Sequence, residues 1–346
     1  MIAAGGTAGH VLPALAVAQA LRARGVSVSF AGSPDRIEAR LVPEAGFELD
    51  TFRIAGLPRR PGLAQARALL LAGQAPRACA RILARRRPDV VLGGGGYVAG
   101  PMVYAAWRRR VPAALSEADA HLGLANRLAA PFARRVFLAY AIAGRDGAKY
   151  RVVGRPIARA EPVPRDEARR EFGLPVEGRV LLVFGGSQGA RALNELAVDA
   201  FGAEGPSVLH LCGERYVSEL EPRLRRPDYR LLAWTDHFAS ALAAADLVLA
   251  RAGGSIWEVA AAGRPAVLVP SPNVTADHQT KNARYFETAG GAVVVPEPQL
   301  SRVPGLVRRL LADEARLAAM GDAMRRAAKP DAADRIAEEL IALGSA

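Results

Sequence analysis

Residues 5–21 read GGTAGHVLPALAVAQAL and follow the short apolar run MIAA at 1–4. An apolar run, two glycines, a hydroxyl and then an alanine- and leucine-rich stretch describe a strand that turns sharply into a helix. The same order returns at 180–190, where VLLVFGG leads into SQGA and a second helix-period segment. GGTAGH at 5–10 and GGSQGA at 185–190 thus stand 180 residues apart, and one strand–turn–helix unit used twice predicts two similar halves.

The flanking sequence extends both halves in the same way. In the first, MIAA, VSVSFAG, DVVLGG, PAALS and RVFLA read as strands; in the second, RVLLVFGG, SVLHLCG, YRLLAW, ADLVLAR, PAVLVP and GAVVVP. Nearly continuous apolar strands that alternate with helical segments predict parallel sheets covered on both faces, an α/β doubly wound fold. A chain of 346 residues suits two such domains. VVGRPIARAEPVPRDEARR, from Val152, is rich in Pro and Arg and reads as the linker. The expected domains are 1–155 and 166–330, with 331–346 a terminal helix packing back on the first. Ligands of such sheets sit at the carboxyl ends of the strands, and two domains facing across a cleft make that cleft the expected site.

Composition bounds the class. Cys79 and Cys212 are the only two thiols, too few for a disulfide framework or a metal cluster, and suited to a reducing cytoplasm. No basic-then-apolar leader opens the sequence, and no run reaches the roughly 18 apolar residues of a membrane span, so the expectation is a soluble or surface-attached protein. Residues 1–160 carry 24 basic and 9 acidic side chains against 22 and 25 in 161–346, so only the first half is basic. From Arg53 to Arg87 nine arginines follow one another without an acid, interleaved with ALLLAG. Arg59, Arg60, Arg67 and Arg77 around Leu69, Leu70 and Leu71 have the composition of a patch that docks on anionic lipid. A solvated helix face in an Arg-rich chain has the same composition, and nucleic acid is the less favoured partner.

Glycine turns at helix starts bring backbone amides and a partial positive charge to a ligand, and phosphate is the natural guest. Neither turn is a dinucleotide fingerprint or a nucleoside-triphosphate loop; each also reads as a plain structural turn. GGGGYVAGP at 93–101, with Gly95, Gly96 and Tyr97, holds more glycine than a turn needs, so something must approach the backbone there. His10 stands just after the first turn, before a Pro13 suited to a helix start. A positive helix end would keep its imidazole neutral and able to take a proton near pH 7; the alternative is a turn histidine without chemistry. Glu258, near the helix start in RAGGSIWEVAAAG, can hold both hydroxyls of a ribose or simply favour the helix dipole. TADHQTKNA at 275–283 concentrates polar groups able to read a sugar. Scattered histidines without Cys or repeated carboxylates make no metal site.

Taken together, GGTAGHVLPALAVAQAL, DVVLGGGGYVAGP, FGGSQGARALNE and AGGSIWEVAAAGRPAVLVPSPNVTADHQTKNA resemble the MurG family of N-acetylglucosaminyltransferases, in collinear order from Gly5 to about Leu300. The resemblance implies the two-domain GT-B fold and an inverting, metal-independent enzyme without cofactor at the cytoplasmic face of the cell membrane. It would transfer N-acetylglucosamine (GlcNAc) from UDP-GlcNAc to the C4 hydroxyl of N-acetylmuramic acid (MurNAc) in undecaprenyl-pyrophosphoryl-MurNAc-pentapeptide, lipid I, giving lipid II for peptidoglycan. Carried over, Gly5, Gly6, Thr7, Ala8 and Gly9, with Gly95, Gly96 and Tyr97, would approach the donor or the acceptor pyrophosphate. Ser187, Gln188 and Gly189 would hold the UDP phosphates, Thr235 the uracil through its backbone, Gly254 and Ser255 the donor sugar, Glu258 the ribose and Gln279 the sugar hydroxyls. His10, as base, and Glu117 would serve the acceptor. SEAD at 116–119 puts Asp119 and Ser116 where the family has Asn and His, and Ala158 stands where an Arg commonly serves the donor. The alternatives are a GT-B enzyme with another acceptor and a non-catalytic nucleotide-sugar-binding membrane subunit.

Overall fold

The computed structural model describes residues 1–56, 62–159 and 161–345. The chain divides into two compact units, Met1–Arg159 with Pro330–Ala346, and Ala160–Lys329. In the first, β1 (Ile2–Ala4), β2 (Ser29–Gly32), β3 (Glu48–Thr51), β4 (Val91–Gly95), β5 (Ala113–Glu117), β6 (Arg135–Leu138) and β7 (Tyr150–Val152) form a parallel sheet in the order β3-β2-β1-β4-β5-β6-β7. Helices α1 (Ala8–Arg22), α2 (Glu38–Glu44), α3 (Leu63–Arg86), α4 (Ala99–Arg108) and α5 (Leu124–Ala129) connect them.

The second unit opens with α6 (Arg165–Glu171). Its parallel sheet holds β8 (Val180–Phe184), β9 (Ser207–Leu211), β10 (Tyr229–Leu232), β11 (Leu247–Ala250), β12 (Ala266–Leu268) and β13 (Ala292–Val294) in the order β10-β9-β8-β11-β12-β13. Its further helices are α7 (Arg191–Phe201), α8 (Val217–Leu220), α9 (Phe238–Ala244), α10 (Ile256–Ala261), α11 (His278–Thr288), α12 (Val303–Ala312) and α13 (Glu314–Ala327). The last helix, α14 (Ala332–Gly344), belongs to the first unit, where Ile336 and Leu340 join Val11 and Leu15 of α1 in one core cluster. Burying each such side chain is worth about 1.5–3 kcal/mol. Asp334 ties the helix to Arg24 and Arg159.

Both sheets reverse strand order at the same step, between β1 and β4 and between β8 and β11. A crevice opens outside the carboxyl ends at such a switch point. The turns read as ligand loops lie there: 5–7 after β1, Gly96 after β4, 185–190 after β8 and 251–255 after β11. Two strands of the first sheet fall outside the sequence reading, β3 (ELDT) and β7 (YRV). Both are edge strands with polar, partly exposed residues, and an edge strand does not need the continuous apolar run that marks an interior one.

Candidate active site

In the first unit β1 ends at Ala4 and α1 begins at Ala8, so Gly5, Gly6 and Thr7 make the turn and His10 lies in the first helical turn. Pro13 falls inside the helix rather than at its start. Having no N–H, it cannot take the carbonyl four residues back. That carbonyl, on Gly9, accepts instead from Arg155 Nη2 at 2.7 Å, while Nη1 reaches the Ala118 carbonyl at 3.3 Å. Arg155 is buried, and these two carbonyls are its hydrogen-bond partners among the described residues.

The half-buried His10 ring is held from several sides. Its Nδ1 lies 3.2 Å from Thr7 Oγ1, and the ring hydrogen-bonds to the Gly5 backbone, an interaction in which a ring N–H donates to the carbonyl. A Cβ on Gly96 would stand 2.1 Å from the Gly5 oxygen and 3.3 Å from His10 Nδ1. Nδ1 and the Gly5 oxygen thus both lie close to the Gly96 backbone, while Nδ1 also faces the Thr7 hydroxyl. What approaches the glycine run is therefore the chain's own turn. Burial lowers the His10 pKa, with Arg155 in support, against the opposing pull of Asp119, the Gly5 carbonyl and Glu38. Desolvation, rather than the helix end, is thus the leading influence that favours the neutral imidazole.

Glu117, expected to take part at the acceptor, is a buried loop anchor. Its Oε2 accepts from Gly123 N and Asn126 Nδ2, both at 2.9 Å, and its Oε1 from Asp119 N at 3.3 Å. Burial pushes its pKa up against those bonds. Tyr97 lies with its ring edge against Gly6, and its buried hydroxyl has no hydrogen-bond partner among the described residues. Sequence reasoning missed Glu38. It is fully buried, and its two oxygens accept from Gly6 N at 2.9 Å and Ser33 N at 3.0 Å.

In the second unit Gly186 and Gly189 close the turn through a Gly189 N to Gly186 O bond of 2.8 Å, and Ser187 and Gln188 are exposed on it. Gly189 has φ +67°, and any Cβ there would stand 1.9 Å from the Cys212 carbonyl. No side chain caps α7, so its first amides are available to an anion. Beneath the turn Asn194 Nδ2 donates to the Cys212 carbonyl at 2.9 Å. Its Oδ1 faces His210 Nε2 at 3.0 Å, and His210 Nδ1 faces the Tyr229 hydroxyl at 2.9 Å. Burial pushes the His210 pKa down to about 3, so this support is neutral; a histidine in the strand run SVLHLCG gives no sequence signal of it. After β11, Gly254 and Ser255 precede α10, whose first turn carries the half-buried Glu258. Asn282 Nδ2 holds the Ala252 carbonyl at 3.3 Å, Gln279 Oε1 accepts from Ser271 N at 2.9 Å, and Thr235 Oγ1 accepts from His237 N at 3.0 Å.

The basic run of the first unit is less free than its sequence suggests. Arg85 and Arg86 pair with Asp50, and Arg86 also with Glu48, both acids on β3. Arg59, Arg60 and the Leu69 side chain lie outside the described residues. Arg67, Leu70 and Arg77 are exposed on α3, and Leu71 is half-buried. No helix among the described residues is long and apolar enough to cross a membrane, and no group of three or more His, Cys, Asp or Glu there is placed to hold a metal ion.

Residues 1–138 match the glycosyltransferase family 28 N-terminal domain and residues 180–336 the corresponding C-terminal domain. Twin parallel sheets with a glycine turn at each switch point, together with these matches, therefore define a two-domain glycosyltransferase of family 28. The chain is 43% identical to a Salinibacter ruber protein over 99% of this chain and 96% of that one. It is 44% identical to a Halorhodospira halophila protein over 97% and 96%. Both relatives are named UDP-N-acetylglucosamine–N-acetylmuramyl-(pentapeptide) pyrophosphoryl-undecaprenol N-acetylglucosamine transferase. The crystal structure of Acinetobacter baumannii MurG superimposes with a TM-score of 0.78 at 29% identity, covering 99% of both chains. The chain belongs to the MurG family.

Proposed function

We propose that the protein transfers GlcNAc from UDP-GlcNAc to the C4 hydroxyl of MurNAc in undecaprenyl-pyrophosphoryl-MurNAc-pentapeptide, with inversion and without a metal ion. The observation that carries this is His10, a half-buried imidazole at the first turn whose Nδ1 faces Thr7 Oγ1 and whose burial favours the neutral form, so that Nε2 is the nitrogen we assign to accept a proton. As O4 of MurNAc bonds to C1 of GlcNAc, the O4 proton passes to Nε2; the C1–O bond to the diphosphate breaks and UDP leaves with the electron pair. The charge on the leaving diphosphate is met by the 186–189 turn and the uncapped amides of α7, fixed donors that need no reorganisation. Glu258 holds the ribose, Gln279 the donor sugar and Glu117 the loop on which Asp119 stands.

The same reading places the enzyme on the cytoplasmic face of the membrane. Leu63 and Leu70 of α3, Trp107 of α4 and Leu128 of α5 are exposed, on helices that pack side by side, among exposed arginines such as Arg67, Arg77, Arg108 and Arg127. Apolar side chains ringed by cations suit an anionic lipid surface.

Purified protein incubated with labelled UDP-GlcNAc and a lipid I analogue, with EDTA present, tests the reaction. Disaccharide is expected, and loss of product under chelation refutes the metal-free reading. Sedimentation with phosphatidylglycerol vesicles tests the docking; equal sedimentation with phosphatidylcholine refutes it.

A further inference from the structure

Glu38 faces the glycine turn from below. Its side chain is completely buried, and its Oε2 accepts the Gly6 N–H at 2.9 Å. Gly6 N–H and Gly5 C=O belong to one trans peptide, so they point in opposite directions. The carbonyl on the far side acts on the His10 ring, and both lie close to Gly96. A carboxylate, one peptide unit and an imidazole thus follow one another. Two glycines make room for the acid: a Cβ on Gly5 would lie 2.2 Å from Glu38 Oε1, and one on Gly32 2.7 Å from its Cγ. The second oxygen is fixed by Ser33 N at 3.0 Å, so the carboxylate cannot turn away.

We infer that Glu38 is a positioning residue for the base: through the Gly5–Gly6 peptide it fixes the Nδ1–H tautomer of His10 and supports the imidazolium formed as the proton arrives. A carboxylate bound directly to a catalytic histidine does the same two things; here a peptide unit carries the polarisation between them, because aligned hydrogen bonds strengthen one another. The inference rests on His10 being the base of the proposed transfer. The other charged groups that face His10 are Asp119, beyond β5, and Arg155, beyond β7. Both are unchanged in the variants below.

Glu38→Gln keeps the shape and replaces one acceptor with a donor, so one of the two backbone amides loses its partner. We expect turnover to fall about 10- to 100-fold, by analogy with the loss when the carboxylate behind a metal-bound histidine is removed. UDP binding by calorimetry should stay near wild type, while the thermal midpoint falls for the amide left unpaired. The acid limb of kcat/KM should move to lower pH, since removing the acid withdraws a charge that favours protonated His10. Gly32→Ala, on β2, should reproduce the pattern by displacing Glu38. Glu38→Asp, which keeps the charge but not the reach, should lose rate while retaining the acid limb. Wild-type turnover with an unmoved acid limb in Glu38→Gln overturns the inference, as does a loss of turnover matched by loss of UDP affinity. A measurement on the unmutated chain guards against variants that do not fold. Nitrogen-15 NMR of the neutral protein should show His10 protonated at Nδ1, and protonation at Nε2 refutes the relay. That spectrum needs no lipid acceptor, so absence of transfer in the wild-type assay would sink the proposed function and leave the tautomer to decide this inference.

Discussion

Replacing Gly96 by Ala offers the sharpest probe of the seat on which His10 rests. The new Cβ would stand 2.1 Å from the Gly5 oxygen, whereas real Cβ atoms essentially never come closer than 3.0 Å, so the turn must yield by about 0.9 Å. The nearest neighbour is backbone, followed by the His10 ring, and neither is the free end of a flexible side chain. Gly96 also has φ +75°, which costs a residue with a Cβ about 1–2 kcal/mol, and overpacking adds about 1–3 kcal/mol. A loss of that size is borne by a domain with about 5–15 kcal/mol of stability, so the protein should fold with a lowered thermal midpoint. Activity should suffer more, because misplacing a reacting group by about 1 Å can cost about 100-fold. We therefore expect turnover to drop on the order of 100-fold with UDP affinity unchanged, read by disaccharide formation and calorimetry. A Gly96→Ala enzyme with normal turnover would show that the Gly5–His10–Gly96 arrangement does not hold the base.

Further outcomes can be checked independently. His10→Ala should lower turnover by about 10²- to 10⁴-fold, the usual worth of general acid–base catalysis, with UDP binding intact; normal turnover rules out His10 as base. In the wild type, kcat/KM should fall on acidification with a midpoint below 6.5, because burial lowers the His10 pKa; a midpoint above 6.5 contradicts that environment. Arg155→Met leaves the Gly9 and Ala118 carbonyls without this donor and should cost about 1–3 kcal/mol for the buried Ala118 carbonyl, measured by urea unfolding; no change shows that water replaces the guanidinium. His210 has an ordinary pKa of 6.5 and a folded one of about 3. The unfolded chain therefore binds the extra proton between those values, and stability should fall as pH drops from 6.5 toward 3, by up to about 1.4 kcal/mol per pH unit from this group. His210→Gln should flatten that slope, and an unaltered slope refutes the assignment.

The sheets were legible wherever burial on both faces forces a run such as VLLVF, and hidden where a strand lies at an edge and alternates with water, as in ELDT and YRV. The glycine turns were legible because glycine leaves a mark at a sharp turn. Their supports were not. Glu38 opens a short helix in RIEARLVPE, and nothing in that spacing says that its carboxylate reaches a turn 32 residues earlier. Arg155 was one arginine among many, and only the missing N–H of Pro13 explains why a buried guanidinium is needed at the Gly9 carbonyl. The basic run misled in part for a related reason: the acids that pair with Arg85 and Arg86 come from a neighbouring strand, where one-dimensional charge counting does not see them.

The two glycine turns share a topology but are braced with opposite electrostatics, and the difference follows from what each is proposed to face. Behind the first turn stands the Glu38 carboxylate, which favours positive charge at His10 when a proton is taken up. Behind the second stands a chain of neutral groups, Asn194, His210 and Tyr229, with the histidine held uncharged by burial. A carboxylate in that second position would oppose the diphosphate charge that grows as UDP departs, in an interior where such charges are poorly screened. An imidazolium there would need a counter-ion to be stable when buried. Neutral bracing leaves the α7 amides as the principal field at the leaving group. Asn194→Asp should therefore weaken UDP binding while leaving the His10 acid limb in place, and a variant that binds UDP as tightly as wild type would remove the electrostatic reason for the contrast.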